Sequence, residues 1–241
     1  MQIAKEIGFN YRDNIDEYIS IYNRKPKCVQ FFSHDAKGNE IPEEEWKKIE
    51  KHNITTYIHC TFNIVLENPW CIKYFRLQYD FAVKNNIRGL VIHLPSKVGI
   101  TPRMRKTLIA IFEMAKAKVN LYFEHVVGDL ADRKLFEKTI RSIQILKNKI
   151  NPEIPVYGCI DTCHIYSSGV DLKSYHGIEN VLVHLNDSVN PFNSKRDHHG
   201  SYGENVFTKK SLLEFISSIK AHDFILEMKD FKESFKFLEL S

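Results

Sequence analysis

No apolar run in the 241 residues approaches the length that spans a bilayer, and the N-terminus lacks a signal-peptide layout. Those absences exclude a membrane-spanning helix and lead to the expectation of an intracellular protein with no membrane partner. Cysteine is scarce, and Cys28, Cys60, Cys71, Cys159 and Cys163 form an odd, scattered set. That excludes a disulfide scaffold and fits a reducing compartment. Cys159 and Cys163 are four apart rather than C-x-x-C, so they read as small core residues. No Pro/Gly/Ser-rich linker or low-complexity tract divides the chain, which predicts one domain over residues 1–241. A surplus of one charge is missing too. Lys+Arg number 34 against 30 Asp+Glu, a net +4 that permits a polyanionic partner without requiring one. Many basic residues (Lys47, Lys48, Lys51, Lys116, Lys118) fall on helical faces and read as solvated surface. What remains, 43% hydrophobic and 27% charged residues, is the composition of a globular chain able to bury a large core.

Short apolar, often β-branched runs alternate along the chain with segments of helical period. The runs are 3–8, 28–32, 56–59, 89–93, 119–124, 156–160, 181–185 and 224–226. Between them, Ile72, Phe75, Tyr79, Ala82 and Val83 keep a 3.6 period, as do Met104, Leu108, Ile111, Phe112 and Ala115. Thr101 followed by Pro102 reads as a cap with proline at the first helical position, and Pro42 before three glutamates reads the same way. The sixth connection offers little more than a turn of helix at 167–175, and a long polar loop follows at 186–205. Eight strand–helix units without a composition break predict a (β/α)8 TIM barrel, the alternative being a doubly wound open sheet.

The strand ends carry the chemistry. Strands three to eight end in His59, His93, Glu124, Asp161, His184 and Glu227, each 23 to 43 residues from the last. In a barrel these ends share the C-terminal rim, where the active sites of this fold lie. Alone, each residue has a bland explanation: a bonded core histidine, a helix cap or half an ion pair. Together, three carboxylates at one rim would repel one another severely unless cations neutralised them, so a polynuclear metal centre is predicted. His164 follows Asp161 by three residues. Asp197-x-His199 places two more side chains on one side of an extended segment, with His198 turned away toward solvent or a phosphate. Imidazole and carboxylate with open coordination suit zinc, with manganese possible at the more exposed position.

The sequence resembles the endonuclease IV family of apurinic/apyrimidinic endonucleases. The resemblance rests on CIDTCHIYSSGVDL (159–172), VHLNDSVNPFNSKRDHHGSYGEN (183–205), VIHLPS (91–96), YFEH (122–125), IHCTFNIVLENP (58–69) and ILE (225–227). It implies a TIM barrel with three zinc ions. His59, His93 and Glu124 would hold one. Glu124 would bridge to a second, held also by Asp161, His184 and Glu227, and His164, Asp197 and His199 would hold the third. It further implies a monomeric hydrolase acting on double-stranded DNA. Such an enzyme cuts 5′ to abasic sites, leaving a 3′-hydroxyl and a 5′-deoxyribose phosphate, and trims blocked 3′ ends. Glu227 and Glu124 would orient the attacking water, Phe62 would insert into DNA, and Lys195, Arg196 and His198 would face phosphate. The first two loops depart from the family: Gly8-Phe9-Asn10-Tyr11 lacks the usual His-Val-Ser, and 33–40 lacks the Arg-and-aromatic wedge. Gly200 and Asn205 also differ, and the chain is short for the family. The runner-up is a metal-dependent sugar isomerase or epimerase of the xylose-isomerase type. That reading would not need His59, His93 and the Asp197-x-His199 pair together.

Overall fold

Strands built from Val, Ile, Leu, Tyr and Phe and buried on both faces are what a parallel sheet walled by helices demands. The computed structural model describes residues 7–11, 14–97, 99–115, 118–202, 206–227 and 231–239. Its strands are β1 (Ile7–Asn10), β2 (Cys28–Phe31), β3 (Thr55–His59), β4 (Gly89–His93), β5 (Asn120–Glu124), β6 (Val156–Asp161), β7 (Glu179–Leu185), β8 (Asp187–Ser188), β9 (His199–Gly200) and β10 (Lys220–Leu226). All but β8 and β9 close in parallel into one barrel, ordered β1-β10-β7-β6-β5-β4-β3-β2. The expected TIM barrel is therefore present and the open sheet is not. The helices are α1 (Ile15–Tyr22), α2 (Glu43–Glu50), α3 (Ile72–Lys84), α4 (Pro102–Met114), α5 (Arg133–Ile150), α6 (Thr162–Ser167), α7 (Lys209–Ser218) and α8 (Phe231–Glu239). Among the described residues no helix is long and apolar enough to cross a membrane.

Local chemistry sets the element ends. Thr101 accepts from the Met104 amide with Pro102 at the first helical position, as predicted. Pro42 is itself the cap residue of α2, one place earlier than predicted. Asp161 ends β6 and at once caps α6, its Oδ1 accepting from the His164 amide at 2.9 Å. The first strand runs past its expected end at residue 8 to Asn10; Ile3 to Glu6 fall outside the described residues, as do Lys116 and Asn205. The loop 186–205 is not wholly irregular, because β8 and β9 pair in it as a short antiparallel hairpin.

One period-two pattern organises the barrel interior. Cys28, Tyr57, Val91, Tyr122, Cys159, Leu182 and Ile225 form a fully buried inner layer. Two residues further along each strand the pleat returns the side chain to the same face. Those positions are Gln30, His59, His93, Glu124, Asp161, His184 and Glu227. On β1 the corresponding pair is Gly8 and Asn10. A Cβ on Gly8 would stand 2.2 Å from the Cys28 carbonyl oxygen, so only glycine fits there. Beneath this layer Tyr57 donates to Asp223 at 2.5 Å and Tyr122 meets His222 at 2.8 Å, so packed side chains fill the barrel.

Candidate metal centre

Glu124 stands at the middle of the rim, fully buried. Four imidazoles surround its carboxylate. His184 Nδ1 lies 3.1 Å and His164 Nδ1 3.5 Å from Oε1, while His93 Nε2 lies 3.3 Å and His59 Nε2 3.5 Å from Oε2. His184 Nδ1 also comes within 3.3 Å of Glu227 Oε2. Toward the surface, Asp197 sits between two histidines, with His164 Nε2 at 3.1 Å and His199 Nε2 at 3.0 Å.

Sheet register produces this convergence. His93 pairs with Glu124 across β4 and β5, and Asp161 with His184 across β6 and β7, so these ends stand level on one rim. The outer part is held differently. The loop between β8 and β9 is strapped to the end of α6: Asn193 N donates to Tyr166 O at 3.2 Å and Lys195 N to Ser167 O at 2.9 Å. Phe192 packs its ring against Tyr166. Gly169, at φ +81°, leaves the room the Asn193 side chain needs.

Buried polar atoms normally have partners, and here several do not. Glu124 Oε2, His164 Nε2 and His199 Nε2 are buried without a hydrogen-bond partner, although ligand-type atoms crowd around them. Ligand atoms lie within 4.8 Å of one another in His59–His93–Glu124, in His59–His184–Glu227 and in His164–Asp197–His199. Orphaned acceptors and imidazole nitrogens converging on common points fit divalent cations. Electrostatics agree. Burial alone would raise the Glu124 carboxyl, but His184 and His93 hold it well below the usual carboxylate range. Burial would lower His164, yet Asp161 and Asp197 push it up to about 10, and Asp161 and Asp197 likewise push His199 to about 9. Without cations, protons would have to balance this charge.

All nine predicted ligands share the rim. The sets His59–His93–Glu124 and His164–Asp197–His199 come together as expected. In the remaining set, His184 Nδ1 lies 3.1 Å from Glu124 and 3.3 Å from Glu227, Asn186 joins Glu227 to Asp161, and Asp161 also approaches His199 at 3.7 Å. Its role as the cap of α6 turns Asp161 that way. Cys159 and Cys163 are buried as expected, and burial pushes both thiols up to about 12, so they stay protonated. Phe62 is 73% exposed beside His59 and His93, and Arg196 and His198 are exposed. Lys195 is also exposed, and its ammonium donates to Ser168 O at 2.8 Å, which straps the loop and leaves two of its three N–H donors for other partners.

Sequence reasoning missed five residues. Phe32, 43% exposed, lies against the rings of His59 and Phe62. Asn186 donates to the carboxylates of Asp161 and Glu227. The backbone oxygen of His125 faces His164 Nδ1 at 2.8 Å, and burial pushes the His125 ring down to about 3, hence neutral. Gln30 and Asn10 are the other members of the rim layer. The two-residue step from the inner layer would have revealed them.

Residues 1–240 match a family model described as xylose isomerase-like TIM barrel. Among curated relatives, the probable endonuclease 4 of Halothermothrix orenii is 25% identical over 248 positions, covering 88% of each chain. Among solved structures, "The crystal structure of AsfvAP:AG" has a TM-score of 0.73 at 20% identity, covering 98% of this chain and 95% of that one. Endonuclease IV from Thermus thermophilus has a TM-score of 0.63 at 17% identity, covering 96% and 95%. These two structural likenesses speak to the fold.

Proposed function

The chain belongs to the xylose isomerase-like TIM barrel family, and from that premise we propose that it is a zinc-dependent DNA repair endonuclease. It would hydrolyse the phosphodiester 5′ to abasic sites in double-stranded DNA, leaving a 3′-hydroxyl and a 5′-deoxyribose phosphate, and would trim blocked 3′ ends. One observation carries the reading: the buried groups around Glu124 adjoin a third, more exposed group of His164, Asp197 and His199. The curated relatives named probable endonuclease 4 support it.

His59, His93, Glu124, Asp161, His184 and Glu227 would hold two ions, and His164, Asp197 and His199 a third. When bound, such ions supply Lewis acidity, acidifying a water and neutralising charge on the phosphodiester. The residues do the rest. Glu227, fixed by Asn186 and Gln30, would orient the attacking water. Phe62 and Phe32 offer apolar faces to the gap left by a missing base, where flipping costs least. Arg196 and His198 would take phosphate oxygens along the flanking strand.

Duplex DNA with one tetrahydrofuran abasic analogue tests this reading. Incision 5′ to the analogue that survives brief EDTA but is lost on prolonged chelation is expected. Failure to incise with zinc loaded would sink the reading. Glu227→Gln is expected to keep bound zinc and DNA while the incision rate falls by about 10²–10⁴-fold. The family match also admits a sugar isomerase or epimerase, but that chemistry leaves the His164–Asp197–His199 group without a role. Sugar turnover with magnesium or manganese would favour it.

A further inference from the structure

Three rim histidines each have one ring nitrogen toward the ligand cluster and the other on a hydrogen-bond partner. For His59 that partner is the Cys60 carbonyl oxygen, 2.9 Å from Nδ1, and for His164 it is the His125 carbonyl oxygen, 2.8 Å from Nδ1. These are backbone groups, beyond the reach of substitution. His184 differs: its outer nitrogen, Nε2, meets a side chain, Gln30 Oε1, at 3.0 Å.

Gln30 is fully buried on β2, and its amide is committed at both ends. Nε2 donates to Glu227 Oε1 at 2.5 Å and to Asn10 Oδ1 at 2.9 Å. An amide nitrogen only donates and an amide oxygen only accepts. A flipped Gln30 would press its oxygen against the Glu227 carboxylate, so one orientation survives. In that orientation His184 Nε2 must keep its hydrogen. Nδ1, 3.1 Å from Glu124 Oε1 and 3.3 Å from Glu227 Oε2, is then the nitrogen left free to bind a cation.

We propose that Gln30 is a positioning residue that selects the metal-binding nitrogen of His184 and orients the carboxylate of Glu227 with the same amide. Asn10 anchors the second N–H, so β1, β2, β7 and β10 are joined through one side chain. This rests on the rim being a metal centre, as proposed above. Partners of this kind fix the tautomer of a ligating histidine, and losing one typically weakens metal binding 10–100-fold.

The test uses the full chain with ¹⁵N-labelled histidine, as wild type, Gln30→Met and Gln30→Glu. Loaded with zinc, and with ¹¹³Cd to read the coordinated nitrogen, the wild type should show metal on His184 Nδ1 and an Nε2–H protected from solvent exchange. Gln30→Met should lose that protection and release zinc to a competing chelator at a 10–100-fold lower affinity. Gln30→Glu keeps an acceptor for His184 but no donor for Glu227, so the protected Nε2–H should return while zinc affinity stays reduced. A structural role in core filling alone would not restore that resonance. Metal on Nε2 in the wild type, or Gln30→Met with both the protected proton and zinc affinity unchanged, overturns the proposal. Wild type that takes up neither metal would instead end the metal-centre reading. The exchange rate of Nε2–H in the metal-free wild type and Gln30→Met would still decide what Gln30 does.

Discussion

Glu124, His184 and Glu227 reach the centre from strand ends, with side chains at most 7% exposed, whereas Asp197 is 48% and His199 26% exposed on a hairpin loop. The inner residues are aligned by ladder hydrogen bonds, which the barrel provides whatever sits on the rim. The outer residues depend on the Lys195 strap, the Phe192–Tyr166 contact and two short strands. Asn193 and Lys195 both have left-handed backbones, at φ 63° and 58°; asparagine takes that conformation readily, but at Lys195 the loop is held in one the residue does not favour. A rigid inner half and a strapped outer half imply different tolerance to damage.

Glu124→Gln should break the comparison most strongly, since this carboxylate touches histidines of both halves. Zinc content is expected to collapse in inner and outer positions alike and incision to fall to background, checked by metal analysis beside the abasic-duplex assay. Asp197→Asn should sharpen it. One zinc per chain should leave while the inner ions stay, and incision should drop by less than for Glu124→Gln. Loss of every ion on that substitution would show that the halves are not separable.

The smallest effect concerns Asp187, which roots the hairpin by accepting from the Ser188 and Val206 amides at 2.8 and 3.1 Å. Burial pushes its carboxyl up to about 6. The folded chain therefore holds this proton more tightly than the unfolded chain. The stability from that proton is complete below the unfolded carboxylate range near pH 4 and is lost as pH rises through about 6. Asp187→Asn keeps an acceptor without the charge, so its thermal unfolding, followed in metal-free protein, should be flatter between pH 4 and 6. It should also be modestly more stable than wild type above pH 6. An unchanged pH profile would mean that Asp187 does not hold its proton there.

Much of the inner half is legible in the sequence. An apolar run ending in His93 or Glu124 announces both the strand and its candidate ligand, and all such ends meet at one rim. Gln30 and Asn10 escaped because an amide at a strand end carries no metal signal; only their place two residues past the inner layer exposes them. The hairpin escaped because two-residue strands leave no periodicity to read. That the Lys195 ammonium reaches Ser168 O is visible only in the fold, because the two residues lie 27 positions apart in the chain.

The sequence by itself determined the eight barrel strands, the chemistry of the nine candidate rim ligands and the edge shared by the six at strand ends, because pleat and strand direction are local properties of the chain. The tertiary structure alone decided how those ligands partition. Asp161 turns toward His199, His184 meets both Glu124 and Glu227, and Gln30 joins His184 to Glu227 within the same layer. Such pairings depend on how neighbouring strands stagger and how a loop is strapped. Both arise from contacts between residues far apart in the chain, which leave no local trace.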